Sequence, residues 1–209
     1  MINIQHAVFS LIGKLRIEKT QELAYLMPTG KIENYVRDNL AIILHQELQN
    51  EYFICREWKG KERTQSDIAI VDKSTDEPIC IIELKAHSMV KYEKGYSDEI
   101  KNDLQKMKIK ANDDTELYYI FSNNLVLNKN GIDPQLKQTM TYYKGITLEA
   151  KKGNQEQIAI QSWERYLDEN LFQHKEYLKI KIHCGPFYDN ETELLLFFYG
   201  PFNKSDIKV

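Results

Sequence analysis

The stretch from residue 66 to residue 87 constrains the fold more than any other. Pro78-Ile79-Cys80-Ile81-Ile82 is apolar at consecutive positions, so both faces of the strand it forms must be covered. A strand of that kind belongs in the middle of a sheet, with helices on either side. Asp67 to Asp72 is a second strand, joined to the first by the polar run Lys73-Ser74-Thr75-Asp76-Glu77. Centring the hairpin near Thr75 sets Ile70 opposite Cys80, and Asp67 opposite Glu83. Directly opposed residues share a face, with Cβ atoms roughly 4.5–5.5 Å apart. Glu83 and Lys85 are two apart and also share a face. Two carboxylates and an ammonium therefore converge where a core strand ends. A one-residue slip would turn Asp67 to the other face.

The flanking segments supply the covering layers. Apolar residues at Ile4, Val8, Phe9, Ile12 and Leu15, then Leu23, Leu26 and Met27, have helical spacing over two helices, ended by Pro28-Thr29-Gly30. Residues 31–49 read as an amphipathic helix with the stripe Val36, Leu40, Ile43, Leu44 and Leu48. Glu51 to Trp58 reads as a strand. Residues 97–111 return to helical period through Ile100, Leu104, Met107 and Ala111, and Thr115 to Phe121 reads as a strand. Further on, the pattern predicts a helix over 133–143, strands over Gly145 to Ala150 and Gln157 to Ile160, and a short helix over Ser162 to Phe172. Strands follow around Leu178 to Cys184 and Glu193 to Tyr199. This order predicts an α/β chain in the mixed (α+β) sense: a mixed central sheet flanked by helices. Residues 1–209 are read as one domain, with an N-terminal helical extension (1–30), a core (31–122) and a C-terminal part completing the fold (123–209).

With 42% hydrophobic residues among 209, an ordinary packed core can form, and disordered or fibrous classes are excluded. Apolar runs are too short for a membrane-spanning helix, and the first residues lack signal-peptide features. Cys55, Cys80 and Cys184 are odd in number and widely spaced, which argues against a disulfide scaffold or zinc site and for a reducing cytoplasm. The formal net charge of −3 excludes a polycationic coat for nucleic acid, but not a local basic surface.

Carboxylates as close as Asp67 and Glu83 repel unless a proton or cation lies between them. A hard divalent ion such as magnesium suits two carboxylate oxygens. Beside a phosphodiester, such an ion with a neighbouring lysine provides the parts for hydrolysis. Neither a nucleophile elbow nor a glycine-rich phosphate loop is present.

Asp67, fifteen intervening residues, then Glu83-Leu84-Lys85, on consecutive strands between two helices, resembles the PD-(D/E)xK nuclease superfamily, which includes restriction endonucleases. The resemblance covers roughly residues 31–122. Ser66 stands where the proline of the motif's name would be. The resemblance implies a restriction endonuclease-like fold, with Asp67, Glu83 and the backbone carbonyl of Leu84 as ligands for Mg2+ (Mn2+ substituting). It makes Lys85 the catalytic lysine and Glu33, on the preceding helix, a further acidic catalytic residue. Glu33 also has a local reading, as an acid favoured by the dipole at a helix N-terminus. The implied activity is a DNA endonuclease of restriction or phage-defence type, acting on double-stranded DNA, as a homodimer if both strands are cut. An RNA-cleaving or toxin nuclease on the same site, and a non-catalytic nucleic-acid or protein-binding module, are the alternatives. Arg56, Lys59, Lys61, Arg63 and His87 are candidates for nucleic-acid contacts. The first four could equally form a solvated face, and His87 could be a strand-end histidine. Glu99 and Asp103, interleaved with lysines after the motif, read as a solvated helix face.

Overall fold

A computed structural model describes residues 3–17, 20–29, 32–60, 64–87, 94–127, 155–167, 177–187 and 190–207. Helices α1 (Ile4–Ile17), α2 (Thr20–Thr29) and α3 (Ile32–Leu48) come first. Strands β1 (Tyr52–Trp58), β2 (Ser66–Asp72) and β3 (Pro78–His87) follow, then α4 (Lys94–Lys110) and β4 (Glu116–Leu127). Helix α5 (Gln155–Tyr166), β5 (Tyr177–Phe187) and β6 (Asn190–Phe202) complete the order, with a short 3-10 helix at Lys204–Asp206. The fold is the mixed α/β arrangement expected: a six-stranded sheet in the order β1-β2-β3-β4-β6-β5. β3 and β4 are parallel, linked through α4, and the other neighbours are antiparallel.

The sheet separates two apolar layers. On one side Val36, Leu40 and Leu44 of α3 pack with buried residues of α1 and α2 against Ile68, Ile70, Cys80, Ile82 and Leu84. On the other, Ile100, Leu104 and Met107 of α4 and Trp163 of α5 pack against Ile81, Tyr119, Phe121 and Phe197. The apolar run in β3 is therefore covered from both sides, as its composition required. Among the described residues, no helix is long and apolar enough to cross a membrane.

Local turn chemistry sets the β2–β3 register. Asp72 Oδ1 accepts from the backbone N–H groups of Ser74 (2.7 Å) and Thr75 (3.1 Å), closing an Asx turn. Asp76 adopts φ of 59°, and the Asp72 N–H donates to the Glu77 carbonyl at 3.0 Å. The strands leave this turn with Ile70 opposite Cys80 and Ile68 opposite Ile82, after a shift between Ile70 and Val71. This is the expected register, and continuing it one step brings Asp67 level with Glu83.

One element differs from its expectation. Gln157 to Ile160 lies inside α5 and is not a strand. Ile160, Trp163 and Leu167 are three and four apart, and the helical period wins because Trp163 and Leu167 are both buried in the second layer. The expected helix over 133–143, the strand over Gly145 to Ala150, and residues 168–172 of the expected helix lie outside the described residues, as do Lys61 and Arg63.

Candidate active site

β3 runs on past the point where β2 begins, and this overrun creates the site. The Leu84 N–H points toward β2 but finds a side chain there: Asp67 Oδ2, at 2.8 Å. Two residues on, the Ala86 N–H donates to Glu33 Oε2, also at 2.8 Å. Two carboxylates thus continue the hydrogen-bond ladder that the β2 backbone has left. In an antiparallel ladder a residue's N–H and C=O face the same neighbour. The Leu84 carbonyl therefore opens onto the same edge, between the positions of Asp67 and Glu33.

Glu83 lies beside Asp67 and is 4% exposed. Burial, then the charge of Asp67 and a hydrogen bond with it, push the Glu83 carboxyl well above the usual carboxylate range. Its Oε1 is buried with no hydrogen-bond partner. An orphaned buried carboxylate oxygen is costly unless a proton or a cation meets it. Burial also raises the pKa of Glu33, against the Ala86 hydrogen bond, and the charges of Asp67 and Asp103 add to the rise.

Lys85 shares the face of Glu83. Its Nζ lies 3.2 Å from Glu99 Oε2 and 3.8 Å from Asp103 Oδ2. Burial works against its charge, but Asp103, Glu99 and Glu33 outweigh burial and raise its pKa, so it is an ammonium at neutral pH. Asp103 is 8% exposed and also holds Lys106 at 2.9 Å, so it is not the solvated helix acid expected from its charged neighbours. It lies next to the stripe of Ile100, Leu104 and Met107, where a helical residue turns toward the sheet.

Two further charged groups complete the surroundings. Arg37, one turn after Glu33, reaches Asp67 Oδ1 at 3.7 Å and is shared with Asp38 (3.0 Å) and Glu57 (3.2 Å). Lys110 is only 7% exposed, although its sequence context is a run of lysines. Its Nζ donates to Ser66 Oγ at 2.8 Å and to the Trp58 carbonyl at 3.3 Å, and lies over the Trp58 ring. Gly60, with φ of 56°, covers the same ring so closely that a Cβ there would sit 2.9 Å from it. Lys110 is seven positions after Asp103, which is two helical turns. That spacing was the one sequence signal that both face the sheet.

The remaining candidates make other contacts. His87 is buried, stacked on Trp163 at 5.3 Å and 10°, with Phe121 at 5.5 Å. Burial pulls its pKa down to about 4, so at neutral pH it is an uncharged part of an aromatic layer. Arg56 is half-exposed and paired with Asp38 at 2.9 Å, and Lys59 is exposed.

The donors suit a hard cation: two adjoining carboxylates, one with an orphaned oxygen, and a peptide carbonyl on the same edge. Among the described residues, no group of three or more His, Cys, Asp or Glu side chains is arranged to hold a metal ion. No protein-family model, curated protein or solved structure matches this chain.

Proposed function

We propose that this chain is a magnesium-dependent endonuclease that hydrolyses phosphodiester bonds in DNA, with a restriction endonuclease-like core and a role of restriction or phage-defence type. The observation that carries this reading is the pair of half-buried Asp67 and buried Glu83, with Glu83 Oε1 unsatisfied and Lys85 on the same face. Asp67, Glu83 and the Leu84 carbonyl would hold the ion. Bound there, a divalent cation supplies neutralisation of the paired carboxylates and a lowered pKa for a coordinated water.

The protein's own groups divide the remaining work. Lys85 is held as an ammonium by Glu99 and Asp103, so it acts by stabilising negative charge on the phosphoryl oxygens and not as a base. Glu33 is anchored through Oε2 to the Ala86 N–H, and its raised pKa brings it closer to neutrality, where a carboxylate can accept a proton from water. Arg37 keeps Asp67 from rotating away from the β3 edge.

The test is digestion of supercoiled plasmid and of RNA, with Mg2+ and with chelator, by wild type and Lys85→Ala. The reading requires Mg2+-dependent nicking or linearisation of plasmid that falls by about 10²–10³-fold in the variant. Equal cleavage by the variant, or cleavage in chelator, overturns it. Cleavage of RNA alone replaces it with a ribonuclease, and tight DNA binding without cleavage replaces it with a binding module.

A further inference from the structure

The buried contact between Ser66 and Lys110 has no part in the chemistry above. Ser66 opens β2, immediately before Asp67, and is 1% exposed. Lys110 ends α4 and reaches across to it, donating to Ser66 Oγ at 2.8 Å. With its lone pair so engaged, the Ser66 hydroxyl has its own hydrogen to give, and its influence on the Glu83 carboxyl is to lower the pKa that burial and Asp67 raise. Ammonium, hydroxyl and carboxyl are each at least nine-tenths buried. The carboxyl is the one whose Oε1 has no partner.

From this geometry we infer that Ser66 and Lys110 are positioning residues, which hold one oxygen of Glu83 so that the unpartnered Oε1 is presented, beside Asp67, to a divalent cation. The inference rests on the metal-site reading of Asp67 and Glu83. A buried carboxylate can turn about its last torsion, which is broad and roughly two-fold, so an orienting donor decides where its free oxygen points. The ladder bond to Leu84 performs the same service for Asp67. Lys110 in turn is kept in place by the Trp58 carbonyl and ring. Outer partners of this kind commonly govern metal affinity by 10–100-fold.

Charge and positioning predict opposite signs for Lys110. A cation this close repels a metal ion, so if Lys110 were only a counter-charge, removing it would tighten metal binding. If it positions Glu83 through Ser66, removing it weakens binding. Titration of the full chain with Mn2+, followed by calorimetry and by loss of the free-ion electron paramagnetic resonance signal, reads this directly without any cleavage assay. Ser66→Ala is expected to weaken Mn2+ binding by about tenfold, Ser66→Thr to restore it, and Lys110→Met to weaken it. Because Lys110 acts through Ser66, the double variant Ser66→Ala/Lys110→Met should bind no more weakly than Ser66→Ala alone. Thermal melts of each variant establish that it is folded. If Ser66→Ala fails to fold, the sign of the Lys110→Met change decides. Unchanged affinity in folded Ser66→Ala, tighter binding in Lys110→Met, or additive losses in the double variant overturns the inference while leaving the metal site standing. A wild-type protein that binds no Mn2+ overturns the metal-site reading, and this inference with it.

Discussion

Strand β3 presents two different surfaces. Toward α1–α3 it offers Cys80, Ile82 and Leu84, all buried among aliphatic side chains. Toward α4 and α5 it offers Ile81, then Glu83, Lys85 and His87, and the apolar character is broken one residue after it begins. The backbone is the same, and the only difference is the parity of the position. The first face is a source of stability, since fully burying each Leu or Ile contributes about 1.5–3 kcal/mol. The second gives stability up, because it buries an acid beside another acid and leaves one of its oxygens unmet. Strand alternation thus lets one segment serve a core and the proposed site without either intruding on the other, and substitutions on the two faces should separate stability from activity.

The largest expected separation is between Lys85→Ala and Leu40→Ala. The first should lower DNA cleavage by about 10²–10³-fold with little change in melting temperature. The second removes a fully buried side chain of α3 and should cost about 2–5 kcal/mol in chemical denaturation, with the activity of the folded fraction retained. A Lys85→Ala protein that is active but unstable would break the comparison.

Glu83→Gln should act in the opposite sense to a core deletion. It removes a buried acid whose ionisation the fold opposes, so the metal-free protein should melt higher, by about 2–4 °C for each kcal/mol gained. The rise in melting temperature that Mn2+ gives the wild type should disappear. Differential scanning calorimetry with and without Mn2+ measures both, and an unchanged Mn2+ shift would remove Glu83 from the ligand set.

His87 sharpens the contrast within the second face, because it is polar yet part of the aromatic layer. Its folded pKa is depressed from 6.5 to about 4 by burial. The folded state therefore disfavours the imidazolium, and the stability that neutral His87 contributes is complete above pH 6.5 and lost as pH falls through about 4. His87→Phe should flatten the decline in melting temperature across that interval relative to wild type. Equal slopes would mean that His87 is protonated without penalty.

The smallest effect is expected at Arg56. Its pair with Asp38 is half-exposed, so Arg56→Ala should change stability by less than about 1 kcal/mol. A filter-binding assay at low salt would show whether the residue also contributes to DNA affinity, through a shallower dependence on salt in the variant.

Apart from Glu33, which the family resemblance supplied, the parts of the site that could be read in the chain are those carried by strands. Asp67, Glu83 and Lys85 follow from a period of two and from a turn whose Asp72, Ser74 and Thr75 dictate their own hydrogen bonds. Residues contributed by helices were harder to read. Asp103 stands among charged neighbours and looked solvated, Lys110 ends a run of lysines, and Arg37 gave no signal at all. A helix presents every azimuth to its surroundings, and which one meets the sheet depends on how the helix docks. The strand expected over Gln157 to Ile160 failed for a related reason: four residues carry too little pattern to outvote the burial of Trp163 and Leu167 beyond them.

By itself the chain determined that a doubly covered strand would lie inside a mixed sheet, and that its hairpin with the preceding strand would bring two acids level. Both are consequences of short-range geometry, where each residue's direction is set by its immediate neighbours. Only the tertiary structure decided that β3 would outrun β2, so that Asp67 and Glu33 take over its vacant N–H groups. It alone decided that α4 would bring Asp103 to Lys85 and Lys110 to Ser66. Those contacts join residues up to dozens of positions apart, and what brings them together is the packing of whole apolar faces, which no local pattern encodes.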